Sequence, residues 1–202
     1  IQNFEVTSMV NSAYLGSNAG NSIENSKMVC FVRGTLIQTD NGERPIETLK
    51  VGDKIQTADN GLQAIKWIGC GALERADKHA PIRISADALS KGVPQRDLCV
   101  SPQHRIYLAS AIAKRMFGEF EVLIPAHRLS KIDGIYRADA DDPVEYWHIL
   151  TQAHHLVRAN GAWAETLFLG PEALKALTPE ALDEIAEVLP LFHQSFRYEM
   201  AR

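Results

Sequence analysis

An all-β body carrying a short α-helical appendage at its C-terminus is the architecture this chain is expected to adopt, and three observations lead there. From Cys30 onward, short apolar runs of strand length alternate with turn residues, the texture of a many-stranded β domain. Within that region Asp59-Asn-Gly61 separates Lys54-Ile-Gln-Thr57 from Leu62-Gln-Ala-Ile-Lys-Trp-Ile68, and Asn-Gly between such runs marks a hairpin because both residues tolerate positive φ. At Gly170-Pro171 the pattern changes to a helical one.

The elements follow in order. Residues 1–29 are rich in Asn and Ser and contain Gly16-Ser-Asn-Ala-Gly20-Asn-Ser, so a flexible lead is expected. Cys30 opens a strand-like run, and Thr39-Asp-Asn-Gly42 and Val51-Gly-Asp53 read as turns. Further strands are predicted at Pro81–Ile84, Asp97–Val100, Arg105–Leu108, Glu121–Ile124, Glu145–Leu150 and His155–Ala159, with helical interruptions at Ser85–Leu89 and Leu108–Met116. Pro171-Glu172 and Thr178-Pro179-Glu180 each look like a helix start, with proline near the first position and an acid where the helix dipole favours it. Leu174, Leu177, Leu182, Ile185 and Leu189 then recur at near-helical spacing, a stripe suited to packing on the β body. The expected division is 1–29, 30–169 and 170–202.

Composition bounds the function. The chain has 202 residues, 46% hydrophobic and 23% charged, enough for one sizeable domain with appendages. Its net charge of −4 argues against a nucleic-acid footprint, which needs a basic patch. No apolar run approaches the roughly 18–20 residues that span a bilayer. The first residue is Ile1, no signal peptide is visible, and the chain is expected to derive from a longer polypeptide. Three cysteines without a paired spacing support neither a disulfide framework nor a structural zinc site, though one disulfide plus one free thiol stays open. Neither metal nor cofactor is expected. Nothing demands assembly, so a monomer is expected.

The chemistry-bearing residues are the thiol of Cys30, the hydroxyl and imidazole of Ser101-Pro-Gln-His104, and a distal segment from Tyr146 to Gly161 with His148, His154 and His155. Thiol, hydroxyl and imidazole are the equipment of acyl transfer. An amide is a poor electrophile with a poor leaving group, so breaking one needs a nucleophile, a proton for the departing nitrogen and stabilisation of the oxyanion. Cysteine supplies the first and histidine the second near neutral pH.

Four segments in this order, Cys30-Phe-Val-Arg-Gly-Thr-Leu-Ile, Arg44-Pro-Ile-Glu-Thr-Leu-Lys-Val-Gly-Asp53, Val100-Ser-Pro-Gln-His104 and Tyr146 through Gly161, resemble the Hint domain shared by inteins and hedgehog autoprocessing proteins, and within it the bacterial intein-like branch. The resemblance covers about residues 30–168. It implies a horseshoe-like β fold and an N-to-S acyl shift at the Val29-Cys30 bond, the chain's own upstream polypeptide being the substrate. Cys30 would be the nucleophile. His104 would contact the scissile amide, with Ser101 where the family carries threonine, keeping the hydroxyl. His148 falls where inteins carry Asp or Cys and would hold or tune the thiol; His154 falls on the motif's histidine, and Asn160-Gly161 is the turn that follows. The resemblance also implies membership of a larger bacterial protein, secreted or surface-associated.

The chain departs from the intein pattern after that turn. Ala162-Trp-Ala-Glu165-Thr166 offers no asparagine for cyclisation, so full splicing is not expected, whereas cleavage by water or a small external nucleophile stays available. Hedgehog relatives carry an acid near the place where Gly69-Cys70-Gly71 has none. Two rivals stand beside self-processing: a catalytically silent domain of this shape serving as a structural or interaction module, and a cysteine hydrolase acting on other chains.

Overall fold

The structure is a computed structural model, and it describes residues 29–73, 80–139, 144–169, 181–183 and 185. Most of the expected lead and of the C-terminal appendage lie outside the described residues.

In chain order the strands are β1 (Phe31–Val32), β2 (Leu36–Thr39), β3 (Gly42–Pro45), β4 (Lys54–Gln56), β5 (Leu62–Ala64), β6 (Trp67–Leu73), β7 (Ile82–Ile84), β8 (Leu98–Val100) and β9 (Arg105–Ala109). After the helix α1 (Ala111–Phe117) come β10 (Glu121–Pro125), β11 (Ile135–Arg137), β12 (Val144–Leu150), β13 (Leu156–Ala159) and β14 (Ala162–Glu165). They form a 6-stranded sheet ordered β11-β7-β8-β1-β12-β6 and an 8-stranded one ordered β10-β9-β14-β13-β2-β4-β5, with β3 beside β2. The fold is all-β with antiparallel pairing.

The turn chemistry sets the hairpins. β4 and β5 meet across Asp59-Asn-Gly61, where Gly61 takes a φ of 62° and Thr57 N–H donates to its carbonyl at 2.8 Å. β2 and β3 meet across Asp40-Asn41. The predicted helix at Ser85–Leu89 is not formed. Its amide donors are taken from elsewhere: Ser85 N–H by Gly134, Ala86 by the Asp97 carboxylate, and Asp87, at a φ of 63°, by Pro94. The helix expected at Leu108–Met116 starts later, at Ala111, because Arg105–Ala109 is committed to pairing with β10. Ser110 Oγ accepts from Ala113 N–H at 3.1 Å, and Gly118 at a φ of 86° ends the helix. The apolar run Leu62–Ile68 divides into β5 and β6, so Leu62 pairs with Gln56 while Ile68 pairs with Ile149.

Period-2 patterning builds the core. Ile37, Ile55, Ile84, Leu98, Val100, Ile106, Ile149 and Val157 are fully buried in one cluster with Phe31. A second, smaller cluster joins Trp67, Leu150 and Leu167 to Ile185. Residues 181–183 and 185 are helical, and this is where the C-terminal segment meets the β body. Among the described residues no helix is long and apolar enough to cross a membrane.

Candidate active site

The shortest strand has the most constrained position. β1 lies between β8 and β12, with Phe31 opposite Val100 on one side and Trp147 on the other. One step earlier, the same antiparallel register carries Cys30 toward Ser101 on one side and His148 on the other. Sheet pairing thus delivers residues 71 and 118 positions away to one peptide linkage.

The contacts follow. Ser101 Oγ accepts from the Cys30 amide at 3.1 Å, and the Ser101 amide donates to the Cys30 carbonyl at 2.9 Å. His148 Nδ1 lies 2.9 Å from the Val29 carbonyl oxygen, and His104 Nδ1 lies 2.9 Å from the Cys30 carbonyl oxygen. A carbonyl only accepts, so both rings carry their hydrogen on Nδ1 and donate. The nitrogen of the Val29-Cys30 amide therefore donates to Ser101 while its oxygen accepts from His148. His104 touches the next carbonyl rather than the scissile amide nitrogen that the resemblance implies. His148 reaches the oxygen of the Val29 carbonyl, whose carbon lies directly before the Cys30 nitrogen.

A tight turn explains His104. Ser101-Pro-Gln-His104 is closed by the His104 amide donating to the Ser101 carbonyl at 3.0 Å, with proline at the second position. That reversal returns the imidazole over the end of β1, where its ring sits edge-on to Phe31 with centroids 4.4 Å apart.

Burial governs protonation here. Cys30 is 4% exposed and His104 fully buried. Loss of water pushes the Cys30 thiol far above its usual range, with the Ser101 hydrogen bond opposing. The same desolvation lowers His104 to about 4, with the Glu165 charge pulling the other way, and lowers His148, opposed by its bond to Val29. At neutral pH the thiol is protonated and both imidazoles are neutral.

His154 and His155 precede β13 instead of lying in it, and they part company. His154 Nε2 meets Glu165 Oε2 at 3.0 Å, and its ring tilts against Phe168 at a centroid distance of 5.3 Å. His155 Nδ1 meets Asp59 Oδ1 at 3.2 Å, and its amide donates to Thr166 Oγ1. Glu165 is the residue that sequence reasoning missed: it is 2% exposed, and its Oε1 accepts from the Arg105 amide at 2.9 Å. The available signal was a lone acid closing the small, apolar stretch Ala162-Trp-Ala after the Asn160-Gly161 turn.

No disulfide joins Cys30, Cys70 or Cys99. Cys70 is exposed on β6 opposite Trp147, and Cys99 is partly buried on β8 opposite Arg83.

No curated protein matches the chain. Among solved structures, the bacterial intein-like domain from Clostridium thermocellum aligns at 15% identity and a TM-score of 0.48, covering 69% of this chain and 98% of that one. The gp41-1 intein aligns at 15% identity and a TM-score of 0.43, covering 67% and 97%. The Ssp DnaB mini-intein variant M86 aligns at 11% identity and a TM-score of 0.45, covering 70% and 97%. The family profile of the Hint domain matches residues 29–171, a span that opens one residue before Cys30 and takes in both sheets, and by that match the chain belongs to the Hint domain family.

Proposed function

We propose that the chain processes itself at the Val29-Cys30 bond. The thiol of Cys30 adds to the Val29 carbonyl carbon, the carbon–nitrogen bond breaks, and a thioester remains on the sulfur. One proton leaves sulfur and one reaches nitrogen, so the shift consumes no co-reactant. Water or a small external nucleophile then opens the thioester, releasing the segment that ends at Val29 and restoring the thiol. Splicing does not follow, because Ala162–Thr166 contains no asparagine.

The observation that carries this reading is that side chains grip both ends of one amide, His148 Nδ1 at 2.9 Å from its oxygen and Ser101 Oγ at 3.1 Å from its nitrogen. A donor on that oxygen stabilises the charge that develops during attack. His104, bonded to the carbonyl of the same cysteine, is the acid for the departing nitrogen. The nucleophile is covalently adjacent to its target, which removes the cost of bringing two molecules together. Residues 1–29 are the released segment, 30–169 the processing domain and 170–202 an appendage.

Intact-mass measurement with and without dithiothreitol tests the reading. A fragment ending at Val29, accelerated by thiol, absent in Cys30→Ala and slowed in His104→Ala, supports it. The second reading, a silent structural or interaction module, draws on the deep burial and raised pKa of the thiol. An unchanged mass over days in a folded, reduced sample selects that second reading.

A further inference from the structure

Glu165 does something that neither packing nor the acyl-shift reading has yet used. A buried, ionised carboxylate is costly unless it is bonded and faces positive charge. Its bonds are known: Oε1 to the Arg105 amide at 2.9 Å and Oε2 to His154 Nε2 at 3.0 Å. Pairing of Ala164 with Ile106 sets Glu165 beside Arg105, immediately after His104. Two ring nitrogens nearby, His104 Nε2 and His154 Nδ1, are buried with no hydrogen-bond partner among the described residues. Each imidazole thus commits one nitrogen to a hydrogen bond, and His104 feels both the backbone and the charge of Glu165.

We propose that Glu165, backed by His154, is a positioning residue whose carboxylate supplies the counter-charge for a protonated His104. This inference rests on the self-processing reading for its purpose, though not for its geometry. With Nδ1 donating to Cys30, a second proton on His104 goes to Nε2 and makes the ring cationic. At so buried a ring, the backbone groups of Cys30 and Glu165 and the fixed negative charge of Glu165 together oppose the desolvation that disfavours the cation. The groups facing His104 are Glu165 from β14, His148 from β12 and Cys30 at the start of β1; Glu165 favours the cation and His148 opposes it. His154 in turn holds the carboxylate in place.

The test reads His104 directly. In the full-length Cys30→Ala chain, whose bond stays intact, the ring nitrogens of His104 are titrated by nitrogen-15 NMR with Glu165 present and in Glu165→Gln, which keeps an acceptor for Arg105 N–H, removes the charge and puts an amide nitrogen where an oxygen faced His154 Nε2. The titration midpoint should fall by about one pH unit in Glu165→Gln and lie between the two in Glu165→Asp. In the Cys30 chain, Glu165→Gln should slow appearance of the Val29 fragment at neutral pH and displace the acidic limb of the rate profile to lower pH. A His104 midpoint unmoved in folded Glu165→Gln overturns the inference, whatever the rate does. Should Glu165→Gln not fold, His154→Gln serves: a downward displacement supports the coupling, and none overturns it. A chain that never cleaves, yet whose His104 midpoint still falls in Glu165→Gln, upholds the coupling and sinks the processing reading alone.

Discussion

Under the proposed acyl shift His148 has the sharpest role among the single residues, because its Nδ1–H points at the Val29 carbonyl oxygen, where that reaction would build negative charge. Removing a single such donor costs about 10²–10³-fold in rate in acyl-transfer sites. His148→Ala should slow thioester formation by that order, read as the first-order appearance of the Val29 fragment under saturating thiol. His104 makes a second prediction, on stability. Its folded pKa of about 4 lies below the 6.5 of an exposed ring, so the unfolded chain binds more protons between those values. The stability this neutral ring contributes is therefore complete above about pH 6.5 and is lost as pH falls toward about 4, by an amount on the order of 3 kcal/mol. His148, lowered for the same reason, adds in the same direction. Urea midpoints measured from pH 7 to 4.5 should fall steeply in the parent chain and less in His104→Gln.

The turn between β13 and β14 shows at element scale how backbone geometry clamps distant strands. Asn160 adopts a φ of 47°, accepts from the Leu36 amide at 2.7 Å and donates to the Asp97 carbonyl at 2.7 Å. One side chain thereby ties β2 and the approach to β8 to this hairpin. Asn160→Ala should destabilise by about 1–3 kcal/mol, since it strands a partly buried donor and a partly buried acceptor together. Gly161 beside it has a φ of 87°, and a Cβ there would meet Gln95 Cγ at 2.6 Å. Gly161→Ala should cost on the order of 1–3 kcal/mol, and equilibrium urea unfolding checks both. Elements of this kind were legible: Asn-Gly and Asp-Asn-Gly stand out because so few residues accept positive φ. β3, β11 and β14 were not, because Gly42–Pro45, Ile135–Arg137 and Ala162–Glu165 are short; β11 and one edge of β14 pair with strands about fifty residues away, and β3 is a polar hairpin arm without an apolar run. Ser85–Leu89 misled for the mirror reason, its amides being claimed by a loop and a carboxylate that no local pattern reveals.

Taken whole, the molecule joins its C-terminal segment to the β body through a cluster separate from the site. Ile185 is fully buried against Trp67, Leu150 and Leu167, a cluster distinct from the main core that holds Phe31. Ile185→Ala should lower the unfolding free energy by about 2–4 kcal/mol while leaving the cleavage rate of the folded chain within a factor of two, as thermal unfolding and intact mass would show. Much was written in the order of residues alone: an all-β body, a cysteine ahead of a strand, the Asp59–Gly61 hairpin turn, and the composition that separates this chain from basic nucleic-acid binders. These are local or statistical properties, fixed by side-chain volume, charge and allowed φ. Only the folded chain decided which histidine reaches which atom, that His154 meets Glu165, and that burial raises the pKa of the thiol. Those outcomes depend on strand register between residues more than a hundred positions apart and on the exclusion of water, and neither exists until both sheets have closed.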